Sequence, residues 1–161
     1  MDKRITKYLE FQEIIKELIE NENVKTMKNY TQHFNTNCYE HCYTVSYLCY
    51  IIAKKLNWDY KAVARAGMLH DLFLYNWRVK EERKGLHAFT HAKQAYKNAI
   101  ELFDLTDKEQ NMIKTHMFPI KIIPPKSKEG FLLTIIDKYC VLYEYAKYLS
   151  EKAMYKHVIK I

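Results

Sequence analysis

The chain has 161 residues, a length that fits a single domain with a substantial hydrophobic core. Although 48% of its residues are hydrophobic, no apolar run approaches the ~20 residues of a membrane-spanning helix, and the N-terminus shows no signal-peptide pattern. The net charge of +7 suits an anionic substrate, but the basic residues are scattered along the chain and form no recognisable nucleic-acid-binding motif.

Helical patterns follow one another along the chain. Because there are only 3 glycines and 3 prolines, the composition predicts an all-α bundle of about six or more helices. A polar connection after the first helix, residues 21–37, has room for one helical turn. The four cysteines are expected to be reduced thiols within helices, which is typical of a cytoplasmic protein. The helices are predicted over about residues 5–19, 38–56, 59–75, 90–103, 106–117 and 131–152.

Local signals mark the two ends of the fifth predicted helix. Thr106 and Glu109 form the sequence pattern of a capping box, which starts this helix. It stops near Met117, because Pro119 restricts the residue before it to extended conformations. The third predicted helix is rich in small residues, which should let a neighbouring helix approach closely.

Polar residues interrupt the apolar faces of these helices. The segment 67–74, GMLHDLFL, places His70 and Asp71 side by side in a run that otherwise has the pattern of a buried helix. A buried carboxylate costs several kcal/mol unless something pairs with it. Every predicted helix after the first carries such a polar residue. The full set is His41, His70, Asp71, His91, His116 and Asp137.

Two interpretations of this set are possible. A lone histidine on an apolar face is commonly a hydrogen-bonded core residue, and Lys138 can pair with the adjacent Asp137. Those explanations must hold for each helix separately, whereas one metal centre accounts for all of them. Six ligands are more than one tetrahedral zinc ion can bind. They suit two divalent transition metals that lie roughly 3.5–4 Å apart. The side chain of Asp71 is short and central, so it can bridge the two ions. Fe, Mn, Ni, Co and Zn all suit such mixed ligands.

The order His, His-Asp, His, His, Asp resembles the HD-domain superfamily of metal-dependent phosphohydrolases over about residues 30–150. The segments that carry the resemblance are YEHCYTVSYLCYIIAKKL, RAGMLHDLF, FTHAKQA, IKTHMFP and IIDKYC. It implies the family's helical bundle as a single domain of residues 30–161, with residues 1–29 as a helical extension packed on it. By position, it also implies one metal held by His41, His70, Asp71 and Asp137, and a second held by Asp71, His91 and His116.

The resemblance also implies an activity. We expect a metal-dependent phosphohydrolase or phosphodiesterase that hydrolyses a phosphate ester or anhydride of a small, nucleotide-like substrate. A metal-activated hydroxide would be the nucleophile, with His70 and Asp71 as catalytic residues. Two alternatives stay open: a di-iron oxygenase of the same superfamily, and a module that binds a nucleotide without turnover. The oligomeric state also stays open, and a homodimer is possible.

Basic residues near the predicted ligands are candidates for holding the rest of an anionic substrate. The loops at residues 76–90 and 118–130 are expected to shape the pocket. Tyr75, Trp77 or Phe89 can stack on a base, although core packing is the default role of each. The basic candidates are Arg78, Lys84, Lys93 and Lys138.

His87 lies four residues before His91 and has three possible roles. It can contact the substrate or support a ligand, lie at the surface, or replace His91 as a ligand. Gly85 and the helix-cap signal at Thr90 place His87 in a loop rather than on the helix. His33 has two open roles, a structural one and a position at the mouth of the pocket.

Overall fold

The computed structural model describes residues 2–82 and 85–158, and almost all of their regular structure is helical, which confirms the predicted all-α bundle. No described helix is both long and apolar enough to cross a membrane. The four cysteines are buried free thiols, as expected. The α-helices are α1 (Lys3–Glu20), α2 (Glu22–Thr26), α3 (Cys38–Lys55), α4 (Tyr60–Leu69), α5 (His87–Leu102), α6 (Asp107–Thr115) and α7 (Lys128–Val158).

Helix α1 packs on α4 through one apolar face. Phe11, Ile15 and Leu18 on this face are fully buried, in the same hydrophobic core as residues of α3 and α4. Ile5 and Leu9 do not belong to this face, and each is 52% exposed. The division of the chain into an N-terminal extension and a core domain stays a prediction.

A short hairpin lies between α2 and α3, where the sequence predicts at most one helical turn. Helix α2 and a 3₁₀ turn at Met27–Asn29 occupy the first part of this connection. Two antiparallel strands, β1 (Thr31–His33) and β2 (Thr36–Asn37), follow. Strands this short carry no alternating pattern that sequence reasoning can detect. The hairpin matters for the site because it brings Gln32 to Asp71.

Helices α3 and α4 approach each other closely, as the small residues of α4 predict. A Cβ added at Gly67 would lie 2.8 Å from the Cα of Ser46, so a side chain there requires the helices to move apart. The hydroxyl of Ser46 donates a hydrogen bond to the carbonyl oxygen of Ala64 at 2.6 Å. As a result, the rings of His41 on α3 and His70 after α4 lie 5.4 Å apart, measured between centroids.

Helix α4 ends at Leu69, although the apolar pattern predicts a helix to about Tyr75. Nδ1 of His70 bonds to the carbonyl oxygen of Gly67 at 2.8 Å. In a continuing helix that carbonyl would accept the amide of Asp71. His70 and Asp71 lie in the turn that follows the helix.

Helix α5 begins at His87, before the predicted start at Thr90, so the placement of His87 in a loop is wrong. Thr90 does not cap the helix. Its hydroxyl bonds back to the carbonyl oxygen of Leu86 at 3.1 Å, a pattern of threonines inside helices. The predicted capping box at Thr106 and Glu109 is present at the start of α6.

Candidate metal centre

The predicted metal ligands meet in the interior of the molecule. They come from α3, α5 and α7 and from the turns that follow α4 and α6. None of them is more than 6% exposed to solvent. Burying so many polar side chains is costly unless they are paired or hold a cation. These residues are His41, His70, Asp71, His91, His116 and Asp137.

The ligand atoms form two groups that share Asp71, and within each group they lie within 4.8 Å of one another. Oδ2 of Asp71 is 3.2 Å from Nε2 of His70. Its Oδ1 is 3.3 Å from Nε2 of His91 and 3.4 Å from Nε2 of His116. One carboxylate oxygen therefore faces each group, as in a ligand that bridges two metals. The groups are His41, His70, Asp71 and Asp137, and Asp71, His91 and His116.

A hydrogen bond at Nδ1 fixes each of the four imidazole rings. A backbone carbonyl oxygen accepts this bond at 2.8 Å for His70, 2.7 Å for His91 and 2.9 Å for His116. Nδ1 of His41 instead faces a carboxylate, Oε1 of Glu144, at 2.8 Å. Because Nδ1 is the donor in these bonds, Nε2 is the nitrogen of each ring that would bind a metal.

The unpaired polar atoms at this centre fit a cation. Nε2 of His91 and Nε2 of His116 lie 3.1 Å apart, although their Nδ1 bonds make both of them acceptors. Nε2 of His70 and Oδ1 of Asp71 are buried without a hydrogen-bond partner. Buried acceptors without donors cost free energy. Divalent transition metals accept lone pairs from imidazole and carboxylate alike, so the residues present fit such ions.

The electrostatics of the site also favour a cation. Burial opposes ionisation of Asp71, but the neighbouring His70 and His91 outweigh this and hold its pKa well below the usual range. Burial likewise opposes ionisation of Asp137, but the hydrogen-bonded His41 and the nearby His70 outweigh this and hold the pKa of Asp137 well below its usual range. Burial lowers the pKa of His91. Ionised carboxylates are the form in which Asp71 and Asp137 bind metals, and a metal that binds the imidazoles would displace the protons that these carboxylates favour.

Comparisons with known proteins identify the family. The family model described as HD domain matches residues 38–142. The chain belongs to the HD-domain family. This is the superfamily of metal-dependent phosphohydrolases, whose members bind divalent metals.

The curated relatives of this HD domain match only a part of it. Ribonuclease Y from Geobacter metallireducens and Ribonuclease Y from Geobacter sulfurreducens are each 38% identical to the chain over 68 residues. This stretch is 42% of the chain and 12% of the length of each relative. No solved structure matches the chain.

A cavity of ≈ 380 Å³ leads to the predicted ligands of this HD domain. Asp71, His91, His116 and Asp137 line it, so the centre can be reached from outside. Lys138, a predicted substrate-binding residue, also lines it, with Nζ 3.1 Å from the carbonyl oxygen of His116 and 3.8 Å from Oδ2 of Asp137. The rest of the lining is Gln32, His33, His87, Ala88, Met117, Ile120, Val141 and Leu142.

His87 lies beside a ligand of the HD domain and belongs to neither ligand group. Its ring stacks on that of His91, with centroids 4.6 Å apart and planes inclined by 27°. Its Nδ1 lies 2.9 Å from the hydroxyl of Tyr75. Of its three predicted roles, the structure favours support of His91 and contact with the cavity. His33 also lines the cavity, which is the second of its two predicted positions.

The other predicted basic residues lie away from this cavity. Arg78 lines a neighbouring one. Lys93, predicted to hold the substrate, is exposed and lines a separate groove with Lys97, outside the lining of this cavity. Residues two apart on a helix point to nearly opposite sides, so the inward position of His91 turns Lys93 outward. Lys84 lies outside the described residues.

Sequence reasoning missed two residues that touch the predicted ligands. Nε2 of Gln32 donates a hydrogen bond to Oδ2 of Asp71, and Glu144 faces His41. Glu144 follows Asp137 by two helical turns, so the helical spacing of α7 could have found it. No pattern in the irregular segment around Gln32 indicates its contact, which depends on the fold of the hairpin.

Proposed function

We propose that this HD domain is a metal-dependent phosphohydrolase or phosphodiesterase that hydrolyses a phosphate ester or anhydride of a small, nucleotide-like substrate. The proposal depends chiefly on the two ligand groups that share Asp71. The similarity to proteins named Ribonuclease Y supports a substrate of this class. The net charge of +7 also suits an anionic substrate.

The two ligand groups would each hold one divalent ion. Such ions lower the pKa of bound water and stabilise the negative charge that develops on the phosphoryl oxygens. The chain itself supplies preorganisation. The bonds at Nδ1 keep the four imidazoles in place, and Gln32 holds one oxygen of Asp71, so little has to reorient when a metal binds.

Lys138 is the residue that we expect to bind the substrate phosphate. Its Nζ is anchored 3.1 Å from the carbonyl oxygen of His116, and its side chain remains 37% exposed. The ammonium group can therefore donate to a phosphate oxygen at the cavity. An apolar part of the lining, Ile120, Val141 and Leu142, can pack on the remainder of the substrate and exclude water.

The test is hydrolysis by protein purified without a chelator or a polyhistidine tag. We expect about two transition-metal ions per chain by elemental mass spectrometry, and release of phosphate or alcohol from nucleotide esters. Oxygen uptake by iron-loaded protein without hydrolysis would support the di-iron oxygenase instead. Nucleotide binding without either reaction would support the non-catalytic module. Absence of bound metal after incubation with Mn, Fe or Zn would overturn the proposal.

A further inference from the structure

A second cavity adjoins the one at the metal centre. It has a volume of ≈ 540 Å³ and shares Gln32 and His33 with the first cavity. Because Gln32 also bonds to Asp71, the shared wall reaches the carboxylate that joins the two ligand groups. We call this second space the outer cavity. The rest of its lining is Phe34, Asn35, Trp77, Arg78 and Tyr148.

Stacked rings connect the outer cavity to the metal centre. The ring of Trp77 stacks on that of His87, with centroids 5.2 Å apart and planes inclined by 19°. His87 in turn stacks on the ligand candidate His91. Nε1 of Trp77 donates a hydrogen bond to the carbonyl oxygen of Thr31 at 2.7 Å, which fixes the indole in its plane. A rigid aromatic wall therefore extends from the predicted metal site to the outer cavity.

Phe34 provides a second aromatic surface in the outer cavity. It lies at the turn of the hairpin with φ of 51°, a backbone conformation that bulky side chains rarely adopt. Its ring stacks on that of Tyr148 at 5.3 Å and lies tilted to that of Tyr145 at 5.0 Å, measured between centroids. These contacts with α7 offset the backbone strain and keep the phenyl ring at the cavity.

Arg78 adds a positive charge to these aromatic walls. Its side chain is exposed, and the guanidinium lies 5.4 Å from the centroid of the Trp77 ring. The distance from its Nη2 to the carbonyl oxygen of Phe34 is 3.5 Å, which is long for a hydrogen bond. The guanidinium can therefore turn towards a phosphate oxygen, which it can bind through two parallel donors.

We propose that the outer cavity binds the nucleoside on the far side of the scissile phosphate, so that the substrate is a phosphodiester between two nucleosides. Aromatic side chains that stack on a base and an arginine that holds the backbone are the usual elements of single-strand recognition. A mononucleotide fills the metal-centre cavity alone, whereas a dinucleotide or short oligonucleotide fills both. The inference rests on the proposed function, since it names the substrate class of the same site.

Binding can be tested through the fluorescence of Trp77. The chain has two tryptophans, and Trp58→Phe leaves Trp77 as the reporter. Metal-loaded Trp58→Phe protein is titrated with a phosphorothioate-linked diadenosine, which resists hydrolysis, and with AMP. We expect the dinucleotide to quench Trp77 and to bind at least about tenfold more tightly than AMP. Equal affinities, or no quenching by the dinucleotide, would overturn the inference.

The arginine contact has a matched control. Arg78→Ala is expected to raise the dissociation constant of the dinucleotide about tenfold. Lys97→Ala removes an exposed positive charge from the separate groove beside α5 and is expected to leave this constant unchanged. Equal effects of the two substitutions would show that Arg78 acts only through the net charge of the protein, which contradicts a built subsite.

Turnover separates this inference from the proposed function. The experiment measures kcat/KM for two diesters, adenylyl-adenosine and methyl 4-nitrophenyl phosphate, which has no nucleoside. The ratio of the first value to the second is compared between wild type and Arg78→Ala. We expect this ratio to fall about tenfold in the variant. If both diesters are hydrolysed and the ratio is unchanged, the outer cavity is not a subsite and the proposed function stands. If neither is hydrolysed while the dinucleotide still quenches Trp77, the proposed function fails and the nucleotide site stands.

Discussion

Glu144 and Asp137 contact opposite nitrogens of one imidazole. Nδ1 of His41 lies 2.8 Å from Oε1 of Glu144, and its Nε2 lies 3.1 Å from Oδ1 of Asp137. Burial lowers the pKa of His41, but these two hydrogen bonds outweigh burial and raise it to about 10. Asp137 belongs to the ligand group around Asp71, whereas Glu144 faces the other nitrogen of the ring and groups with His33 and His41. We therefore expect Glu144 to be a positioning residue that acts on a metal through His41.

Glu144→Gln should weaken metal binding without unfolding the protein. The amide keeps the size of the side chain but loses the charge that orients His41, so we expect the metal affinity to fall about 10–100-fold. Competition with a chelator measures the affinity, and circular dichroism verifies the fold. Glu151→Gln, on the same helix, is the matched control. Wild-type affinity in Glu144→Gln would show that the carboxylate does not act through His41.

The metal count should distinguish His91 from His87. His91→Ala removes a ligand from the group with His116, so we expect one metal per chain to be lost and the other to be kept. His87→Ala should keep both metals, because His87 supports His91 through its backbone carbonyl, which the substitution leaves in place. Elemental mass spectrometry gives both counts. Loss of a metal in His87→Ala alone would transfer the ligand role to His87.

The helices and the ligand set could be predicted from the sequence because each ligand candidate interrupts a long apolar pattern. His41 and Asp137 lie on helices whose spacing is regular over many turns, so their inward direction follows from neighbours at helical intervals. The resemblance of the ordered set to a known family then joined residues far apart in the chain. The structure brings all of these residues together.

The missed features depend on contacts that helical periodicity does not show. At the end of α4, the ring of His70 bonds to the backbone carbonyl oxygen of Gly67. Gln32 reaches Asp71 from strands too short to show a pattern. Phe11 is buried on α1 because its ring packs against Tyr43, Tyr47 and Tyr50 of α3. Local periodicity identifies helices, but it does not determine which atoms compete for a carbonyl or a core position.

Asp71→Ala should abolish hydrolysis and cost both metals. Each of its carboxylate oxygens faces a different ligand group, so its removal weakens both at once. His70→Ala should also abolish activity, but it removes a ligand from the first group alone. The two variants are therefore compared by metal content as well as by turnover. Full activity in either variant would contradict the assignment of the centre.

Removal of the metals should lower the thermal stability of the protein. Chelation leaves Nε2 of His91 and Nε2 of His116 facing each other as buried acceptors at 3.1 Å. An ion at 100 times its Kd stabilises a fold by about 2.7 kcal/mol, which at this chain length shifts Tm by roughly 5–10 °C. Differential scanning calorimetry before and after chelation gives the shift, and added Mn²⁺ should reverse it. Asp71→Ala, whose metals are already lost, should show little change on chelation.

Gly67→Ala should destabilise the fold and weaken the metal site together. Alanine inside a helix normally stabilises it by about 1 kcal/mol relative to glycine. Here the added Cβ would lie 2.8 Å from the backbone of Ser46, so α3 and α4 must separate, and we expect a net loss of ~1–3 kcal/mol in urea denaturation. The separation also moves His70 away from His41, so the metal affinity should fall.

Ala146→Gly, at an exposed position of α7, should cost about 1 kcal/mol through helix propensity alone and leave the metal affinity intact. Unchanged stability in Gly67→Ala would mean that the helices can separate without cost and that their close approach does not hold the metal centre together.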